Sequence, residues 1–212
     1  MSDDGPAILF LENSPEKVQQ VRDYCPTANT ILVKETPHAR AVKLLNIPGL
    51  SLKNSLQMKY KSAITPSIIA RIKEWVGLHK DVQKHVLFDW GRTITQLEGI
   101  RIRTVDPVYY EKILEFVCNG PRRVAMLRAM FSYLHSAGCK IYLLTNSKSC
   151  KYASYREIAQ QLAGASVPLH FICSGLNAAA GHKGVAMKQH RTFRSMCKGS
   201  KGRLQTRKRS YK

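Results

Sequence analysis

Three short apolar runs in this chain end on side chains that can do chemistry. Residues 85–89 (HVLFD) end on the carboxylate of Asp89, residues 140–144 (KIYLL) deliver Thr145-Asn146-Ser147, and residues 7–11 (AILFL) deliver Glu12-Asn13-Ser14-Pro15. A fourth run, residues 169–173 (LHFIC), is followed by the lysine of GHKG, Lys183, with Lys188 as its rival. In an open parallel sheet the reactive groups gather at the C-terminal strand ends, because the loops converge there.

The elements needed to deliver these groups are legible. AILFL is a run of the kind buried on both faces of a sheet, and ENSPEKVQQVRDY after it reads as a helix, with Ser14 as N-cap, Pro15 at the first position and Glu16 in the first turn. Residues 30–33 form a second β-branched run. Residues 35–64 hold Pro37, Pro48 and several lysines, which mark loops around one short helix expected near residues 39–45. Thr65-Pro66 starts a helix to about Leu78, with Ile68, Ile69, Ile72, Trp75 and Val76 as its apolar stripe. An extended flap is expected over residues 97–104, and helices over 107–118, 122–135, 154–163 and 183–196. Strands alternating with helices imply an α/β fold, a Rossmann-like three-layer sandwich with a mainly parallel sheet.

VLFDWGRTIT, residues 86–95, resembles the first motif of the haloacid-dehalogenase-like (HAD-like) superfamily, a hydrophobic strand followed by Asp-x-Asp-x-Thr. The resemblance implies Asp89 as a nucleophile that takes up a phosphoryl group and binds Mg²⁺, with Thr93 in the threonine position. KIYLLTNS is similar to the second motif, which makes Thr145 a donor to a phosphoryl oxygen with Asn146 beside it. Lys183 then matches the third-motif lysine, which neutralises nucleophile and substrate. A fourth motif normally follows that lysine, yet no Asp or Glu occurs after Glu157. The N-terminal unit resembles it instead. Glu12-Asn13-Ser14-Pro15 is similar to the Asp-Asn-Ser-Pro of the small C-terminal-domain phosphatases of the superfamily, so that Asn13 and Glu12 would face the metal. The implied chain is a circularly permuted HAD-like protein, an order that resembles HAD-like proteins of large DNA viruses. Its parts would be a motif-four unit (1–34), a linker or insert with one helix at 65–78 (35–84), the core (85–190) and a basic tail (191–212).

Two positions depart from the pattern. Gly91 stands where the second Asp would protonate the leaving oxygen and activate water, a contribution of typically about 10²- to 10⁴-fold. Glu12 replaces Asp with an arm one methylene longer. The resemblance therefore implies a phosphatase or phosphotransferase with weakened or lost activity, or a non-catalytic binding protein on the same scaffold. Trp90 reads as a packing residue and Arg92 as having no special role. His85, His135, His170, His182 and His190 show no ligand spacing.

Charge adds a separate expectation. The net charge is +20, and residues 183–212 carry eleven Lys or Arg with no acid. Such a stretch binds phosphate backbones by counterion release, which makes nucleic acid or another polyanion the expected partner, inside a larger assembly. The tail residues Lys198, Lys201, Arg203, Arg207, Lys208 and Arg209 are its candidate contacts. Six scattered cysteines without a C-x-x-C pair read as reduced thiols, with Cys139 and Cys173 as small buried hydrophobes. With no long apolar run and no basic-then-apolar start, the sequence predicts an intracellular protein, cytoplasmic, nuclear or viral, with no membrane span.

Overall fold

In the computed structural model the described residues are 5–34, 40–52, 58–60, 63–97, 99–174 and 183–197. Five strands make the central sheet: β1 (Ala7–Glu12), β2 (Asn29–Leu32), β6 (Lys84–Phe88), β8 (Cys139–Thr145) and β9 (Leu169–Cys173). Their order is β2-β1-β6-β8-β9, and every pair is parallel. The chain leaves β1 toward β2 and leaves β6 toward β8, in opposite directions. The order therefore reverses between β1 and β6, and at such a switch point the crevice outside the carboxyl ends stands open.

Helices cover both faces. The sheet's two-residue period sends Leu9, Leu11, Val86, Phe88, Ile141 and Leu143 to one side, where they pack with α2 (Pro66–Leu78), α3 (Tyr110–Cys118), α4 (Pro121–Ser136) and α5 (Ala153–Ala163). Ile8, Phe10, Leu87, Tyr142, Leu144 and Ile172 face the other way, against α1 (Pro15–Tyr24), α6 (Lys183–Gln189) and α7 (Arg191–Met196). The layered α/β architecture expected from the alternation of elements is thus present.

The helix starts follow the cap signals. Ser14 Oγ accepts the Lys17 N–H at 3.4 Å with Pro15 first in α1, and Thr65 Oγ1 accepts the Ile68 N–H at 3.4 Å with Pro66 first in α2. Asp106 caps a short 3₁₀ turn, Pro107–Tyr109, that runs into α3. Asn119 ends α3 in the left-handed region at φ 66°, and Gly138 adopts φ 72° between α4 and β8.

The middle segment corrects one expectation. Where a helix was expected near residues 39–45, β3 (Arg40–Val42) pairs antiparallel with β5 (Met58–Tyr60). Pairing with a distant segment overrides the weak local helix preference of so short a stretch. A second ribbon joins β4 (Leu50–Leu52) to β7 (Ile100–Ile102), the tip of the expected flap. Gly49, at φ 85°, lets the chain pass close to Thr104; a Cβ there would lie 2.1 Å from the Thr104 carbonyl oxygen.

The C-terminal helix is two helices. His190 turns extended at φ −75° and ψ 122°, which lets Phe193 of α7 enter the core against Tyr142 and His85. Residues 191–197 therefore belong to the packed layer, and the basic tail residues from Lys198 onward lie outside the described residues. The expectation of six reduced thiols is also corrected. Cys25 is bonded to Cys197, with Cα atoms 4.9 Å apart, and Cys150 to Cys173, at 5.9 Å. Only the fold makes these pairs neighbours, since 172 and 23 residues separate them. Cys118 and Cys139 are free and buried, and burial pushes their thiols up to about 12 and about 11.

Candidate functional site

The switch point carries the polar centre of the molecule. β1 and β6 run in register from Ala7 beside Lys84 to Leu11 beside Phe88, and the Asp89 N–H donates to the Leu11 carbonyl at 3.0 Å. Glu12 and Asp89 consequently leave adjoining strands at the same rim. Glu12 is fully buried and Asp89 nearly so. Two carboxylates removed from water in one place require a counter-charge.

Lys183 supplies it from the far end of the chain. Its ammonium donates to Glu12 Oε2 and to Asp89 Oδ1, the latter at 2.5 Å. Lys183 is itself fully buried. Its backbone N–H donates to Gln20 Oε1 of α1 at 3.2 Å, and its ammonium lies 5.7 Å from the centre of the Phe10 ring. Those contacts fix the lysine beneath the rim, whereas Lys188 is exposed. Burial, the largest influence, raises the Asp89 carboxyl above the ordinary range, with Lys183 and then Lys17 pulling against it and Glu12 adding to it.

Glu12 is held at both oxygens. Its Oε1 accepts the N–H groups of Asn13, at 2.9 Å, and Ser14, at 3.1 Å. With the Asn13 amide oriented by its neighbours, its nitrogen donates to Glu12 Oε1 at 2.8 Å and to the Gly91 carbonyl at 3.3 Å, and its oxygen accepts from Arg92 at 2.9 and 3.1 Å. Arg92 occupies φ 60°, a left-handed conformation that costs a non-glycine residue energy and is held where the surroundings over-determine it.

β8 brings the hydroxyl. Thr145 Oγ1 accepts the Ser147 N–H at 3.1 Å and the Tyr155 hydroxyl at 3.4 Å. Both of its lone pairs are then engaged, which leaves the Thr145 O–H to donate. Ser174 holds the following loop, its hydroxyl lying against the Thr145 carbonyl at 3.1 Å and against the Asn146 amide oxygen. Trp90 packs edge-on against Tyr155 and also lines the cleft described below.

A cleft of about 460 Å³ opens over these groups, bordered by Asn13, Asp89, Gly91, Thr145 and Asn146. Thr93 is not part of its lining: it is fully buried, with its hydroxyl unpartnered, behind the strand end, and Thr95 takes a place at the cleft. Four cations that sequence reasoning passed over do line it, Lys17, Arg92, Arg101 and Lys148. Arg92 lies within the first-motif stretch, where it reads as having no special role, and no motif marks the other three. Lys17 could have been placed from helix periodicity, one turn beyond the Ser14 cap, while Arg101 and Lys148 depend on how the flap and the loop after β8 fold over.

Among the described residues no three His, Cys, Asp or Glu cluster as a metal-holding group, and no helix is long and apolar enough to cross a membrane. No protein-family model, curated protein or solved structure matches the chain.

Proposed function

We propose that this cleft is a permuted HAD-like phosphoryl site, of phosphatase or phosphotransferase type and weakened by Gly91. The observation that carries the reading is the Lys183 bridge between Glu12 and Asp89, because it joins three of the four segments that the motif resemblance singled out at one switch point. The Asp89 oxygen not bonded to Lys183 attacks phosphorus as the bond from phosphorus to the leaving oxygen breaks. The leaving oxygen takes its proton from water, since Gly91 offers none. Water then attacks phosphorus, releases phosphate and restores the carboxylate.

Thr145 donates to a phosphoryl oxygen, and the surrounding cations offset its charge. Mg²⁺ would be held by Asp89, the Gly91 carbonyl and the Asn13 amide turned over, since that turn sets the amide oxygen facing Glu12 Oε1 and the Gly91 carbonyl, hard donors of the kind the ion takes. Bound there, the ion would neutralise charge developing on the phosphoryl group.

A phosphate mimic tests this. Beryllium fluoride with Mg²⁺ should raise the melting temperature of the parent and leave Asp89→Asn unmoved; no shift in the parent would contradict the reading. The missing acid at Gly91 favours a second reading, a non-catalytic nucleic-acid-binding protein on the same scaffold. It predicts affinity that falls steeply with salt and is lost on truncation before Lys198, with no phosphate release from any ester.

A further inference from the structure

From the shape and charge of the cleft we infer that its ligand is the phosphorylated end of a polynucleotide strand rather than a small phosphate monoester. This rests on the phosphoryl-site reading and names the substrate class of that site.

A small phosphate ester would engage only the inner groups, Asp89 and Thr145. The cleft is much larger than that, at about 460 Å³, within the size range of pockets that hold drug-sized ligands. Its described lining carries four cations, Lys17, Arg92, Arg101 and Lys148, against the single carboxylate of Asp89, which shares the Lys183 ammonium with the buried Glu12, so the cations outnumber the acids around the cleft. One wall is apolar, built by Leu97, Ile100, Ile102 and Val117. Cations beside an apolar wall suit phosphates attached to a base.

The cations also lead outward. Arg101 on β7 and Lys148 after β8 are held side by side, because the Ile102 N–H donates to Ser149 Oγ at 3.0 Å. Arg103 and Lys151, both exposed, extend the same two segments beyond the cleft. A monoester leaves this ridge without a ligand, whereas a strand entering by its end lays successive phosphates along it.

The test uses the full chain and three probes: a single-stranded oligonucleotide with a phosphate at its 5′ or 3′ end, the same strand without it, and the corresponding mononucleotide. Because the strands are otherwise identical, the C-terminal basic residues contribute nearly equally and largely cancel in the ratio. One of the phosphorylated strands should bind at least about tenfold tighter than the bare strand, a single good charge-assisted contact. It should also bind tighter than the mononucleotide, and that advantage over the mononucleotide should shrink in Arg101→Ala/Lys148→Ala, which removes the contacts to the inner phosphates. Equal binding of the strands, or a mononucleotide as tight as the strand, overturns the inference. If the beryllium fluoride shift is present in that case, the phosphoryl-site reading stands; if it too is missing, both fail together.

Discussion

Lys183 and Asp89 stand 94 residues apart in the chain, and their side chains meet at 2.5 Å beneath the carboxyl ends of β1 and β6. The same ammonium serves Glu12. One buried cation thus closes a sheet rim assembled from the beginning, middle and end of the sequence.

That sharing predicts opposite effects for two substitutions. Lys183→Met leaves two buried carboxylates facing each other and should cost about 3 to 5 kcal/mol. Asp89→Asn removes the carboxylate that burial disfavours and leaves Lys183 paired one-to-one with Glu12. Urea denaturation should therefore give Asp89→Asn a stability at or above the parent's and Lys183→Met one far below. The reverse order would mean that Lys183 does not bridge the pair.

On the proposed phosphoryl-site reading, Gly91 is the position at which an acid would raise the rate. It is not among the glycines with positive φ, so a side chain is compatible with its backbone. Gly91→Asp should raise hydrolysis of an aryl phosphate by about 10²-fold or more. An unchanged rate, with the fold intact by circular dichroism, would argue that position 91 does not face the leaving group.

The site was partly legible in the sequence, and the reasons differ by residue. Asp89, Thr145 and Glu12 could be found because each follows an apolar run that can only be a buried strand, and parallel strands deliver their next residue to one rim. Lys183 was placed by chain order and motif resemblance alone. Arg101 and Lys148 were hidden, because their place depends on the β4–β7 ribbon and the Ser149 contact, neither of which leaves a periodic trace. The short strand β3, whose local pattern suggests a helix, is hidden for the same reason: its partner, β5, lies beyond the reach of that pattern.

His85 gives a pH signature away from the cleft. It is buried against Tyr142, its Nδ1 3.2 Å from the Tyr142 hydroxyl, and burial first, then Lys140 and His170, lower its pKa to about 4. The folded state then binds fewer protons than the unfolded chain, where histidine titrates near 6.5. This stability is complete above pH 6.5 and is lost as pH falls toward 4, up to roughly 3 kcal/mol. Denaturation at pH 7 and pH 4.5 should show the loss in the parent and a smaller one in His85→Asn. Equal losses would place the proton uptake elsewhere.

The cysteine pairing is open to a direct count. Intact mass under native, non-reducing conditions should rise by four hydrogens on full reduction, with Cys118 and Cys139 unreactive to a thiol reagent until the chain unfolds. Six labelled thiols in the folded protein would contradict both pairs.

Every role proposed for the cleft depends on phosphoryl capture by Asp89, and Gly91 opens that step to trapping. A donor with a good leaving group, such as acetyl phosphate, needs no acid to phosphorylate Asp89, while the second step lacks the base that would activate water, so the aspartyl-phosphate should persist. Borohydride trapping followed by peptide mapping should find the reduced residue at Asp89 and none in Asp89→Asn. A trapped residue elsewhere, or none in the parent with acetyl phosphate and Mg²⁺ in excess, would contradict the account.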